Sequence, residues 1–208
     1  MFGKNANHGV HGNVLAEKIV KTLSGRGETV AAAESCTAGL AADTIARIPG
    51  ASKVFWGSFV SYTEDAKIKM LGVSGNCLKE YGAVSRETAL AMAEGALEKS
   101  GASWAFSITG LAGPDGDGSD TQVGTVWVAV SERGDVSEGS LRPGGLQAGA
   151  FKTETRKFFF SGRRDEVREA AAFAALEMLQ DFLRPAEGIL TGEGKKGIIN
   201  NMADRGIG

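Results

Sequence analysis

Residues 29–40 read Thr29-Val30-Ala31-Ala32-Ala33-Glu34-Ser35-Cys36-Thr37-Ala38-Gly39-Leu40, and the parsing of this stretch decides the fold. A short apolar run, 29–33, has the length of a buried strand. It passes through Glu34-Ser35-Cys36-Thr37 directly into Leu40, Ala41, Ile45 and Ile48, whose spacing is that of a helix halted by Pro49-Gly50. A strand feeding a helix through so brief a turn is the unit from which α/β proteins are built. The turn also leaves backbone N–H groups in front of the helix, where a phosphate, a carboxylate or a developing oxyanion is favoured. Ser35 is therefore either a helix cap or a nucleophile, and the turn alone does not decide between them.

Upstream, residues 1–12 read as an irregular arm. His8 and His11 lie in it with no carboxylate close by, so they read as solvent-exposed rather than as half a metal site. Asn13 is placed to cap a first helix carrying Leu15, Ile19, Val20 and Leu23 on one face, ended by Gly25 and Gly27. Downstream, 54–62 is rich in β-branched and aromatic residues and predicts a longer strand. Thr63 and Ser85 are placed to cap further helices. Strands are predicted at 104–109, 123–130 and 154–160. The clearest helix carries Val167, Ala171, Ala174, Met178 and Phe182, with Pro185 closing it. The alternation predicts a three-layer α/β/α sandwich around a mixed, mostly parallel sheet, spanning 13–184 and followed by a Gly/Lys-rich tail at 185–208.

Bulk chemistry narrows the function. With 25 acidic and 23 basic side chains among 208 residues the net charge is −2, which gives no broad footprint for nucleic acid or a membrane surface. Arg163, Arg164 and Arg168 form a local basic cluster suited to a small anion. Cys36 and Cys77 are the only cysteines and have no CxxC spacing, so neither a zinc site nor a disulfide framework is expected. No leader or membrane-spanning run is read, and the cytoplasm is the default compartment.

Two further segments bear on Ser35. In Ser58-Phe59-Val60-Ser61-Tyr62-Thr63-Glu64-Asp65-Ala66-Lys67, Tyr62 would end a strand and Lys67 would lie one turn into the next helix. Both can then face the same end of the sheet as Ser35. A lysine deprotonates a serine only if burial or a neighbouring cation lowers its pKa from about 10.4. A tyrosine hydroxyl can orient that lysine or relay its proton. Seen singly, Lys67 would be a solvated helix lysine and Tyr62 a half-buried strand end. In Ser107-Ile108-Thr109-Gly110-Leu111-Ala112-Gly113-Pro114-Asp115-Gly116, a strand end meets glycines that permit close backbone approach to a ligand. Asp115-Gly-Asp117-Gly-Ser119 begins like a calcium loop, but Val126 stands where the bidentate acid belongs, so calcium is discarded. Cys36, at a helix start, rivals Ser35 as nucleophile; with no histidine outside the arm to pair with it, Ser35 is preferred.

Six blocks, in order, carry a family resemblance: Ala33-Glu34-Ser35-Cys36-Thr37-Ala38-Gly39, Ile48-Pro49-Gly50-Ala51-Ser52, Tyr62-Thr63-Glu64-Asp65-Ala66-Lys67, Gly82-Ala83-Val84-Ser85, Thr109-Gly110-Leu111-Ala112-Gly113-Pro114 and Val123-Gly124-Thr125-Val126-Trp127. Over about 13–184 the chain resembles the CinA C-terminal-domain family, whose members are nicotinamide-nucleotide amidohydrolases. The resemblance implies conversion of nicotinamide mononucleotide to nicotinic acid mononucleotide and ammonia, in pyridine-nucleotide recycling, without metal or other cofactor. It implies Ser35 as nucleophile with Lys67 and Tyr62, and a substrate site drawing on Cys36, Thr37, Ser52, Thr109, Gly110, Gly113 and Arg164. The family's Gly-Asp-Arg block reads Gly162-Arg163-Arg164-Asp165 here, with Arg164 the closer positional match, and the stretch 141–157 is longer than expected. Family members commonly self-associate, so a homo-oligomer is implied, with the tail a candidate for packing on a neighbouring subunit. The alternative reading is a non-catalytic module that senses nucleotides or contacts a protein partner in competence or DNA-damage responses.

Overall fold

The computed structural model describes residues 6–134 and 151–184, with side chains from residue 12 onward. The stretch that decides the fold forms strand β1 (Val30–Glu34), a turn, and helix α2 (Leu40–Ala46), preceded by α1 (Ala6–Arg26). There follow a short 3-10 turn (Ala51–Lys53), β2 (Phe55–Val60), α3 (Glu64–Leu71), α4 (Gly75–Tyr81), α5 (Arg86–Ser100), β3 (Trp104–Gly110), β4 (Thr125–Arg133), β5 (Phe151–Phe159) and α6 (Arg164–Leu183).

The sheet order is β2-β1-β3-β4-β5. β1 pairs in parallel with both β2 and β3, while β4 runs antiparallel to β3 and to β5. Four strands therefore point one way and β4 the other, so the sheet is mixed. Its directions are mostly parallel, although its ladders divide evenly between the two kinds.

Every residue of β1 is buried, and the two-residue period sends them to opposite faces. Val30 and Ala32 join Trp104, Phe106, Ile108, Val126, Val128 and Val130 in a core covered by α1, α2 and α6. Ala31 and Ala33 face Leu71, Leu78, Met92, Ala96 and Leu97 of α3, α4 and α5. Small side chains on this second face let α5 sit low on the sheet: Ala89 and Ala93 meet Ala129, and Ser107 Oγ donates to Ala89 O at 2.6 Å. α5 in turn lets α3 approach through Gly95, where an added Cβ would lie 2.1 Å from Leu71 O. The two helix layers and the sheet make the expected three-layer sandwich.

The caps predicted at Thr63 and Ser85 hold. Thr63 Oγ1 accepts from Ala66 N at 3.1 Å and Ser85 Oγ from Thr88 N at 3.1 Å. The irregular arm does not hold over its second half, because α1 already runs from Ala6, and Asn13 lies inside the helix rather than at its cap. No proline interrupts 6–12, and buried Gly12 packs near Thr44 of α2, so packing overrides the weak helix propensity of this segment. Helix α4 is unanticipated: Leu78 is its one buried residue, so it carries no periodic apolar signal, although Ser74 caps it. The segments 135–150 and 185–208, which include most of the long stretch, Pro185 and the tail, lie outside the described residues. Among the described residues no helix is long and apolar enough to cross a membrane.

Candidate active site

The parallel strands deliver their C-terminal ends to one edge of the sheet. Glu34 is level with Val60 on one side and Ile108 on the other, so Ser35, Ser61-Tyr62 and Thr109-Gly110 emerge together. Thr63 and the first turn of α3 then carry Lys67 back over this edge. Its Nζ lies 2.9 Å from Ser35 Oγ and 3.0 Å from Ser61 O. Lys67 is 1% exposed and Ser35 7% exposed. Burial lowers the Lys67 pKa from its ordinary value of 10.5, only partly opposed by Cys36 and Glu64. A serine thus faces an amine biased toward its neutral, proton-accepting form.

The turn around Ser35 is fixed from two sides. Glu34, fully buried, turns its carboxylate onto the start of α2: Oε2 accepts from Gly39 N at 2.9 Å and Ala41 N at 3.2 Å, and Oε1 from Ala42 N at 2.9 Å. Ser58 Oγ donates to the same carboxylate at 3.4 Å. The amides expected to await an external anion are therefore largely taken by this internal one, which suits the helix macrodipole. From the other side, Arg168 of α6 donates through Nε to Cys36 O at 3.0 Å and through Nη2 to Thr37 O at 3.1 Å. Ser35 N bonds Ile108 O and Ala38 N bonds Ser35 O. The amides of Cys36 and Thr37 make no bond to a protein oxygen among the described residues.

Several expected site residues sit elsewhere. Among the described residues the Tyr62 hydroxyl makes no hydrogen bond to Lys67, whose Nζ bonds Ser35 Oγ and Ser61 O. Tyr62 is 51% exposed and accepts from Arg164 Nη2 at 2.7 Å, while the Ser61 carbonyl orients the lysine. Arg164 Nη1 also donates to Gly113 O at 2.6 Å, so Arg164 joins Tyr62 to the β3–β4 loop at the rim. Thr109 is buried and donates to Ala83 O at 2.6 Å. Cβ atoms at Gly110 and Gly113 would meet Val126 at 2.7 Å and Val123 at 2.6 Å, so these glycines accommodate neighbouring valines. Ser52 falls in the 3-10 turn ahead of β2, at the opposite sheet edge from Ser35. The arginine cluster is divided: Arg163 pairs with Glu166, Arg164 holds the rim, and Arg168 holds the turn.

Cys36 is buried, which pushes its thiol up to about 11 and so disfavours the thiolate near neutrality. Thr37 Oγ1 and Ser61 Oγ are buried without a hydrogen-bond partner among the described residues. Buried hydroxyls are ordinarily paired, which makes these two exceptions in the segments that carry Ser35 and the carbonyl bonded to Lys67. Among the described residues no three His, Cys, Asp or Glu side chains converge as metal ligands.

A mixed α/β/α sandwich with a serine set against a buried lysine at the C-terminal edge of its parallel strands defines the class of protein. Within it, the chain belongs to the family described as CinA C-terminal domain, whose model matches residues 12–183. It is 41% identical over 171 residues to the nicotinamide-nucleotide amidohydrolase PncC of Escherichia coli (strain K12), covering 82% of this chain and 94% of that protein. It is also 41% identical over 170 residues to a CinA-like protein of Anaeromyxobacter dehalogenans, but there the match spans 82% of this chain and only 38% of the relative. The chain thus spans about two fifths of the length of several curated relatives. Among solved structures, competence/damage inducible protein CihA from Agrobacterium tumefaciens aligns with TM-score 0.72 and 38% identity, over 84% of this chain and 96% of that one. A competence damage-inducible protein A from Klebsiella pneumoniae aligns with TM-score 0.73 and 29% identity, over 83% and 96%.

Proposed function

We propose that this chain is an amidohydrolase that converts nicotinamide mononucleotide to nicotinic acid mononucleotide and ammonia. The observation that carries the reading is Lys67 Nζ, 2.9 Å from Ser35 Oγ, with the lysine almost fully buried. The likeness to the Escherichia coli amidohydrolase over nearly its whole length supports the substrate.

The chemistry follows from the proton inventory. Neutral Lys67 spends an N–H on Ser61 O, which leaves its lone pair for the Ser35 proton. The serine oxygen attacks the carboxamide carbon, and the amides of Cys36 and Thr37 receive the oxyanion. The ammonium of Lys67 returns its proton to the departing nitrogen, so ammonia leaves and an acyl-serine remains. Water, deprotonated by the again-neutral lysine, attacks the acyl carbon. The carboxylic acid product is released, and Lys67 returns the proton to Ser35. Arg164, at the rim, supplies positive charge for the phosphate of the nucleotide.

Ammonia release from nicotinamide mononucleotide and from free nicotinamide tests the reading. We expect turnover of the nucleotide only, abolished in Ser35→Ala with the fold retained. Full activity of Ser35→Ala, or equal turnover of free nicotinamide, overturns it.

A further inference from the structure

Of the amides from Ser35 to Asp43, all but those of Cys36 and Thr37 have an oxygen partner among the described residues: Ile108 O, Ser35 O, Thr37 O, Gly39 O or the Glu34 carboxylate. What aims the remaining two is a matter of peptide geometry. In a planar trans peptide the C=O and the following N–H point in opposite directions, so holding a carbonyl sets the direction of the next amide. The Ser35 carbonyl is held by Ala38 N at 3.0 Å, which sets the Cys36 amide from within the turn. The Cys36 carbonyl is held by Arg168 Nε at 3.0 Å, from a helix more than a hundred residues further along the chain. The second arm of the same guanidinium holds Thr37 O at 3.1 Å, so the fork cannot rotate about one bond. Its third nitrogen faces Asp165 at 3.4 Å.

We propose that Arg168 is a positioning residue for this site: by gripping the carbonyls of Cys36 and Thr37 it aims the Thr37 amide at the oxyanion that forms on the substrate carbonyl oxygen when Ser35 attacks. The inference rests on the reading of Ser35 as an acyl-transfer nucleophile. Arg168 does not touch substrate. It faces the carbonyl side of the turn, opposite the amides, and it is distinct from Arg164, whose guanidinium lies at the rim on Tyr62 and Gly113. A lysine at 168 would keep the charge but could not hold two carbonyls in one plane.

The test compares wild type, Arg168→Ala and Arg168→Lys in two assays. In the first, ammonia release from nicotinamide mononucleotide, Arg168→Ala is expected to lose roughly 10- to 100-fold in kcat with KM changed less than about threefold, since the lost interaction exists only in the transition state. Arg168→Lys is expected to fall between the two, and added ethylguanidinium to restore part of the Arg168→Ala activity but none to Arg168→Lys. In the second, phosphonylation of Ser35 by a fluorophosphonate is expected to slow by a similar factor, because the phosphonyl oxygen needs the same amides whatever the natural substrate is. Thermal unfolding is followed in parallel, and the lysine variant covers the case in which alanine unfolds the chain. Unchanged kcat and unchanged phosphonylation in folded Arg168→Ala or Arg168→Lys overturn the proposal. So does a loss that appears in KM alone. A wild type that is phosphonylated at Ser35 but releases no ammonia overturns the substrate reading while leaving this one standing.

Discussion

Lys67 crosses from the first turn of α3 to place its Nζ 2.9 Å from Ser35 Oγ at the end of β1, and it does so almost wholly out of water. The pairing costs stability, because a buried amine loses the hydration of its charged form. Burial lowers its pKa from 10.5, so between the folded and unfolded values the unfolded chain binds the extra proton. The lysine's contribution is therefore fully present above about 10.5 and is lost as pH falls through the lowered folded value. Lys67→Met should raise the unfolding free energy near neutral pH, by on the order of 1 kcal/mol, while abolishing ammonia release. It should also remove the rise in stability with increasing pH expected of the wild type. Thermal unfolding of both proteins between pH 6 and pH 10 measures this, and the wild-type kcat should fall on the acid side as Lys67 takes up its proton.

Tyr62 is separated from that pair and tied to Arg164 at 2.7 Å. Tyr62→Phe should accordingly raise KM for nicotinamide mononucleotide by about three- to tenfold and leave kcat within about threefold. A proton relay through this hydroxyl would instead cost about a hundredfold or more in kcat. Steady-state kinetics of the one variant distinguishes the two roles.

The close approach of α3 to α5 should be intolerant of a single methyl group. In Gly95→Ala the new Cβ would lie 2.1 Å from Leu71 O, a backbone atom that can give way only if α3 moves. The expected loss is about 1–3 kcal/mol in unfolding free energy. Because Lys67 rides on α3, kcat should fall as well, which urea unfolding and the ammonia assay would show together.

Glu34 offers only acceptors to the three amides at the start of α2. Glu34→Gln presents an NH2 group where one oxygen stood, so at least one buried donor is left facing another. A loss of about 1–3 kcal/mol is expected from that unmade bond. Chemical denaturation measures it directly.

The strand-to-helix stretch at 29–40 could be read because its alanines, its abrupt turn and its helical spacing agree with one another. The pairing of Ser35 with Lys67 was legible for a related reason: Thr63 fixes where α3 begins, and a lysine one turn later must come back over the strand end. The partners of Tyr62 were not legible, because Arg164 lies 102 residues away and nothing local encodes that contact. Ser52, which only the family resemblance brought in, precedes a strand whose far end carries Ser35, and nothing local in the sequence shows that separation. Glu34 and Arg168 were in view as an acid beside the serine and as one of three clustered arginines. Their hold on the turn depends on tertiary geometry: an acid at a strand end can reach the following helix only if the turn is this short, and the arginine contact spans 132 residues.

The double hold on the turn also sets a hierarchy of motion. Amides bonded to the buried Glu34 carboxylate are held from inside the fold, so they should exchange their hydrogens more slowly than those of exposed loops. The Tyr62–Arg164 contact is solvent-washed and belongs to the nanosecond world of exposed rotamers. On the proposed reading, a substrate passes this rim and meets a serine whose turn is already held in position.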